Sequence, residues 1–166
     1  MIFLTIGTHE PFDRLVRAVD EWCDPTRRKC EVFGQITDRG RYVPKNFDWI
    51  PSLPPDAYRE HCRAAEFIIS HAGMGSIITA MTYGRPIVVL PRRGHLKETR
   101  NDHQYATAIR LRGHSGLMVA LSETELPRIL DFAVARGGWE STGTIGSFAD
   151  PRLTDMLRSL IDRSAN

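Results

Sequence analysis

A single α/β domain with a mostly parallel sheet of about six strands is what this sequence predicts, and three observations carry that expectation. Short apolar runs alternate with segments of helical hydrophobic spacing along the chain. Two of those runs, "FIIS" at 67–70 and "PIVVL" at 86–90, are too short and too apolar for surface helices. They flank one helix, as parallel strands covered on both faces do. The length, 166 residues, supports one sizeable core and is short for two, so residues 1–166 are read as one domain.

Taken in order, "IFLTI" at 2–6 is a buried strand ending at Gly7. A helix follows over about 11–23, where Phe12, Leu15, Val16, Val19 and Trp22 recur at helical spacing and Pro11 suits an early position. "KCEVFGQ" reads as a second strand, and "FDWI" is the clearest strand in the glycine- and proline-broken stretch after it. A helix from Pro55 or Asp56 to Ala65 leads into "EFIIS", a glycine corner, a helix over about 75–83 and "PIVVL", which Pro86 can start without interrupting. The charged loop "PRRGHLKETRN" precedes a helix over about 101–112 and the strand "LMVAL". A further helix begins near Ser122, where Ser122 and Glu125 have capping-box spacing. The tract "RGGWESTGTIGSFADP" reads as a surface loop. A last helix over about 151–162 carries Leu153, Met156, Leu157 and Leu160 on one face. That face, or Trp139, is a candidate partner surface, and packing across the sheet edge is the alternative.

Charge narrows the function classes. With 22 Lys and Arg against 20 Asp and Glu the net charge is +2, which permits an anionic small molecule or a membrane surface but gives no sign of nucleic-acid binding. Cys23, Cys30 and Cys62 lack Cys-x-x-Cys spacing and read as reduced thiols, which suggests a cytoplasmic setting. The first residues lack a basic leader region, and no apolar run is of membrane length, so a membrane connection is expected to be peripheral or made through another protein.

In parallel sheets ligands collect beyond the carboxyl ends of the strands, where strand order reverses. Three distinctive loops fall at such ends: Gly7 to Glu10, Ser70 to Ser76, and Pro91 to Asp102. In "SHAGMGS", Gly73 and Gly75 allow close backbone approach, and Ser76 adds a hydroxyl where free amides of a helix start attract an anion such as a diphosphate. A tight turn capped by Ser76 explains the same letters. His71 either hydrogen-bonds a phosphate or sugar hydroxyl or fixes the loop. Thr8 and His9 are ligand candidates beside Gly7. Asp102, His103 and Gln104, at the start of a helix, bring carboxylate, imidazole and amide groups suited to sugar hydroxyls. No Walker ending, first-turn Gly-x-Gly-x-x-Gly, Gly-x-Ser-x-Gly or metal-ligand spacing occurs, so no metal is expected.

With these residues in view, the chain resembles the donor-binding half of GT-B glycosyltransferases. It is most similar to the small subunit of two-part bacterial exopolysaccharide and capsule glycosyltransferases, and through it to the cytosolic subunit of the eukaryotic dolichol-linked N-acetylglucosaminyltransferase. "MIFLTIGTHEPFDRLVRAVD", "VFGQI", "ISHAGMGSIITAMTYGRPIVVLPR" and "NDHQYATA" carry the likeness in that order. The resemblance implies a Rossmann-like half of a GT-B fold that binds a UDP-sugar without a tightly bound cofactor. A separate membrane-associated subunit would hold the lipid-diphosphate-linked acceptor, at the inner face of the membrane.

By the same resemblance, Gly7 and Thr8 belong to the first phosphate-side loop and His9 to a signature of the bacterial small subunits. Ser70, His71, Ala72, Gly73, Met74, Gly75 and Ser76 approach the diphosphate and nucleoside, and His103 with Gln104 the donor sugar. His9, His71 and His103 are the catalytic candidates, with the base expected on the partner. Where relatives commonly carry a ribose-binding glutamate, this chain has Thr79, and Glu98 is the candidate substitute. Arg92, Arg93 or Arg100 would pair with a glucuronate carboxylate if the donor carries one. The rival readings are a non-catalytic nucleotide-sugar sensor or assembly subunit, and an epimerase or dehydrogenase whose dinucleotide fingerprint is not convincing here.

Overall fold

The computed structural model describes residues 1–7, 10–24, 26 and 31–137. Expectations for Thr8, His9, Cys30, Trp139 and the helix at 151–162 lie outside the described residues.

Six strands form one sheet: β1 (Ile2–Thr5), β2 (Val32–Gln35), β3 (Asp48–Ile50), β4 (Ile68–His71), β5 (Ile87–Leu90) and β6 (Leu117–Val119). Their order is β3-β2-β1-β4-β5-β6, and every pairing is parallel. The connecting helices are α1 (Asp13–Trp22), α2 (Pro55–Ala64), α3 (Met74–Thr82), α4 (His103–Leu111) and α5 (Leu126–Ala135).

Both sheet faces are covered, so successive strand residues enter opposite cores. Ile2, Leu4, Ile69, Val88 and Leu90 pack with Leu15, Val19 and Trp22 of α1 and Leu130 of α5. Phe3, Ile68, Ile87 and Val89 pack on the other side with Cys62, Ile77, Ala80 and Ala108 from α2, α3 and α4. Each Leu, Ile, Val or Phe side chain among these, fully buried, contributes about 1.5–3 kcal/mol by leaving water. No helix among the described residues is long and apolar enough to cross a membrane.

One element begins later than its sequence suggests. Ser122 Oγ accepts the Glu125 N–H at 3.3 Å, while Glu125 Oε2 accepts the Leu121 N–H at 2.9 Å. The capping pair therefore closes a turn, and α5 starts only at Leu126, with Pro127 in its first turn, where a missing N–H costs no helical bond.

The strand order places the reversal between β1 and β4. From β1 the chain builds outward through β2 and β3, and from β4 through β5 and β6 in the opposite direction. The loops leaving these two strands, at Gly7 and at Ala72-Gly73, diverge and open a crevice where doubly wound sheets bind ligands.

Candidate functional site

A cleft of about 690 Å³ occupies that crevice, within the range of small-molecule sites. Gly7, Gln35, Tyr58, His71, Gly75, Ser76, Thr79, Arg92, Glu98, His103 and Gln104 are among its walls. A second hollow, of about 760 Å³, lies between α1 and α5 with charges of both signs. Its lining includes neither Gly7 nor any residue of the corner after β4, so it lies outside the reversal point and is the weaker candidate.

The floor of the cleft is built around His71, the last residue of β4. Gly7 takes φ +83°, a left-handed conformation open to glycine, and a Cβ there would lie 3.2 Å from His71 Cε1. A Cβ on Gly73 would overlap His71 Nε2 and approach its Cδ2 within 2.8 Å. Gly73 thus makes room for a ring of the protein itself. Gly73→Ala is expected to cost about 1–2 kcal/mol through overpacking. Because the clash is with one ring, the cost should largely vanish in the His71→Ala background, a coupling that chemical denaturation of the four cycle members measures.

Ser70 Oγ lies 3.2 Å from His71 Nδ1. Burial, reinforced by the charge of Arg92, pulls the imidazole pKa down to about 4 against an opposing hydrogen bond to the Thr5 backbone. The ring is therefore neutral at pH 7, able to exchange hydrogen bonds with a ligand but a weak proton acceptor. A base held below its unfolded pKa stabilises the fold fully above about 6.5, and that contribution is lost as pH falls toward about 4. Unfolding midpoints should consequently drop more steeply over this window in the native chain than in His71→Asn, as thermal melts across pH will report.

Above this floor, α3 begins with no side-chain cap, and its first helical bond runs from the Ile77 N–H to the Gly73 carbonyl. The amides of the first turn are left for another acceptor, and a helix N-terminus favours an anionic one. Ser76 is nearly buried beside them, whereas a Cβ on Gly75 would meet nothing within 4 Å. Thr79 Oγ1 donates to the Gly75 carbonyl at 2.8 Å, so this hydroxyl faces the cleft chiefly as an acceptor.

Other expected site residues take different positions. Ser70 and Ala72 are buried beneath the corner, and Met74 is exposed at its edge. The three do not line the cleft, and neither do Gly73 and Asp102. Asp102 Oδ1 accepts the Gly94 N–H at 2.8 Å and closes the loop before α4. His103 is exposed with its Nδ1 against Asn101 Oδ1, and still borders the cleft. Glu98 borders it too, but its carboxylate faces Arg14, with Nε to Oε1 and Nη2 to Oε2 both 2.8 Å, and also accepts the Arg93 N–H at 2.9 Å. The ribose role considered for Glu98 requires a carboxylate free to turn, and this one is held on both oxygens.

Two of the three arginines considered for a sugar carboxylate are likewise committed, and the third, Arg100, is exposed. Arg92 is 3% exposed and donates to backbone carbonyls, and Arg93 donates to the Leu121 carbonyl at 2.9 Å while stacking on Tyr105. Among the described residues, no cluster of three or more His, Cys, Asp or Glu is placed to hold a metal ion.

Several wall residues escaped the sequence reading. Gln35 accepts the Thr5 hydroxyl at 3.0 Å and donates to the Gly7 carbonyl at 3.1 Å, fixing the start of the first loop. Tyr58 has its hydroxyl pKa pushed up to about 12 by burial, with Cys62 adding to the rise and the Ser76 and Thr5 hydroxyls opposing it. Leu53 and Pro55 add an apolar wall. Gln35 could have been anticipated, since it ends a strand beside the reversal point. Tyr58, a helix residue after a short edge strand, carries no such signal.

Comparison with known proteins places these features. The model of the glycosyltransferase family 28 C-terminal domain matches residues 1–137. The UDP-N-acetylglucosamine transferase subunit ALG13 of Homo sapiens is 33% identical over 122 residues, covering 66% of this chain and 10% of that protein. The chain thus spans about a tenth of the length of this curated relative. The NMR solution structure of ALG13 superposes with a TM-score of 0.59 at 19% identity, over 84% of this chain and 87% of that one. The crystal structure of UDP-glucose:anthocyanidin 3-O-glucosyltransferase in complex with UDP gives 0.58 at 14% identity, over 78% of this chain and 30% of that one. A doubly wound parallel sheet, a cleft at its reversal point and a family match that spans all the described residues agree: the chain belongs to the glycosyltransferase family 28 C-terminal domain family, the donor-binding half of a GT-B fold.

Proposed function

We propose that this chain is the donor-binding, catalytic subunit of a heteromeric inverting glycosyltransferase. It would move a hexose or hexuronic acid from a UDP-sugar to a lipid-diphosphate-linked acceptor in exopolysaccharide or capsule assembly. The uncapped start of α3, with Gly75 and Ser76 facing the cleft, is the observation that carries this reading. Those amides would receive the diphosphate, whose negative charge grows as the glycosidic bond to the sugar breaks. The apolar wall of Leu53, Pro55 and Tyr58 suits a nucleobase, and the polar wall of His103, Gln104 and Thr99 suits sugar hydroxyls.

His71, with a pKa near 4, is a poor acceptor for the acceptor hydroxyl's proton, which favours a base on the partner subunit. That partner would bring the acceptor and hold this chain at the inner face of the membrane. The relative's name, a subunit of a UDP-N-acetylglucosamine transferase, agrees with a divided enzyme.

Two measurements test the reading. Calorimetry should detect UDP and UDP-sugars and not NAD, and selective NAD binding would refute it. Reconstitution with a copurifying membrane-associated partner should transfer sugar onto a lipid-diphosphate saccharide. A pair that binds donor but never transfers would instead identify a nucleotide-sugar sensor.

A further inference from the structure

Arg92 follows β5 and is 3% exposed, yet it is one of the residues bordering the cleft. Its guanidinium donates through Nη2 to the carbonyls of Ile6 at 2.9 Å and Glu10 at 2.7 Å. Through Nη1 it donates to the carbonyl of Pro11 at 2.5 Å, with a longer contact of 3.4 Å to that of Glu98. Its planar group lies over the Phe12 ring, 4.6 Å from the centroid. Three of the four carbonyls flank the loop that leaves β1. At its other end, the Arg92 backbone N–H is held by Gln104 Oε1 at 3.2 Å. One residue therefore joins the loop after β1, the loop after β5 and the first turn of α4.

Among the described residues, the bonds of the Arg92 guanidinium go to carbonyl oxygens alone. The carboxylate of Glu98 is already bound by Arg14, and Glu10 offers its backbone oxygen. The positive charge is thus desolvated and has no bonded anion; the charges of Glu98 and Glu10 offset burial only in part, which leaves a net cost that an anion arriving in the cleft would lower. Its field reaches the floor of the cleft: the charge of Arg92 is the second cause, after burial, of the lowered His71 pKa.

We propose that Arg92 is a positioning residue for the diphosphate, which fixes the loop after β1 against the loop after β5 and the first turn of α4 and gives that end of the cleft a buried positive charge. This rests on the UDP-sugar reading and deepens it by naming the group that assembles the phosphate end. A guanidinium suits the task because its planar fork satisfies several carbonyls at once, which an ammonium cannot do in the same geometry. The charge lies behind the loop, where it favours a diphosphate without pairing with the sugar.

Calorimetric titration of the full chain with uridine and with UDP tests this, since only UDP carries the diphosphate. In Arg92→Gln the UDP affinity should fall at least about tenfold while uridine changes less than about threefold. Arg92→Lys, which keeps the charge and loses the fork, should show a smaller selective loss. If Arg92→Gln does not fold, Arg92→Lys decides, with a UDP-to-uridine affinity ratio at least about threefold below that of the native chain. A ratio unchanged in the folded variants, even with a lowered Tm, would make Arg92 purely structural and overturn the proposal. A native chain that binds neither compound would instead sink the UDP-sugar reading, and this proposal with it.

Discussion

Glu98→Gln is expected to destabilise the domain by about 3 kcal/mol while leaving uridine affinity within about threefold of the native value. Arg14 and Glu98 are each 13% exposed at the side chain and form two parallel bonds of 2.8 Å. Burial of that degree leaves little screening, so loss of one charge leaves the other poorly solvated. The amide substitution worsens the geometry, because Gln presents an NH2 where Arg14 already donates. Glu123, 49% exposed and 3.0 Å from Arg14 Nη1, cannot replace the lost carboxylate on the buried side. Replacing both partners with methionine should cost clearly less than the sum of the single changes, as expected for a pair whose main penalty is an orphaned charge. Urea denaturation gives the stability, and uridine titration separates the two roles considered for this residue. A stable Glu98→Gln with a tenfold loss of uridine affinity would show that the carboxylate turns toward the ribose.

The contrast between β4 and Glu98 explains which features the sequence reveals. β1, β4 and β5 announce themselves because strands covered on both faces need unbroken apolar runs, and "FIIS" and "IVVL" supply them. From that pattern, the location of the cleft follows. The charged loop from Pro91 to Asp102 is different, because its letters describe a solvated face as well as they describe a scaffold. Only the fold brings Glu98 to Arg14, 84 positions earlier, or buries Arg92 under the loop after β1. Such pairs leave no periodic trace, so a loop's charges can be counted from sequence but their partners cannot.

The two glycines of the corner show the same limit in one motif. Gly73 and Gly75 look equivalent in "HAGMGS", and close approach by a ligand explains either. In the fold, Gly73 is required by the ring of His71. Gly75, whose added Cβ would meet nothing within 4 Å beyond its chain neighbours and the backbone of its own helix, is left as the glycine that a ligand could require.

Gly75→Ala should therefore separate folding from binding. Gly75 is the second residue of α3, where alanine is the better helix former, so the variant should be as stable as the native chain or more stable by up to about 1 kcal/mol. Its methyl group, however, would stand in the cleft beside the free amides of the first turn and prevent an anion from reaching them. Hydrogen bonds to charged groups are worth about 1.5–3 kcal/mol each, so losing one or two should lower UDP affinity by about 100-fold. Uridine, which does not need those amides, should bind within a few-fold of the native affinity. Thermal melts and paired titrations with uridine and UDP provide the comparison. Equal losses for both ligands would mean that the methyl blocks the nucleoside rather than the diphosphate, and an undiminished UDP affinity would remove the start of α3 from the binding site.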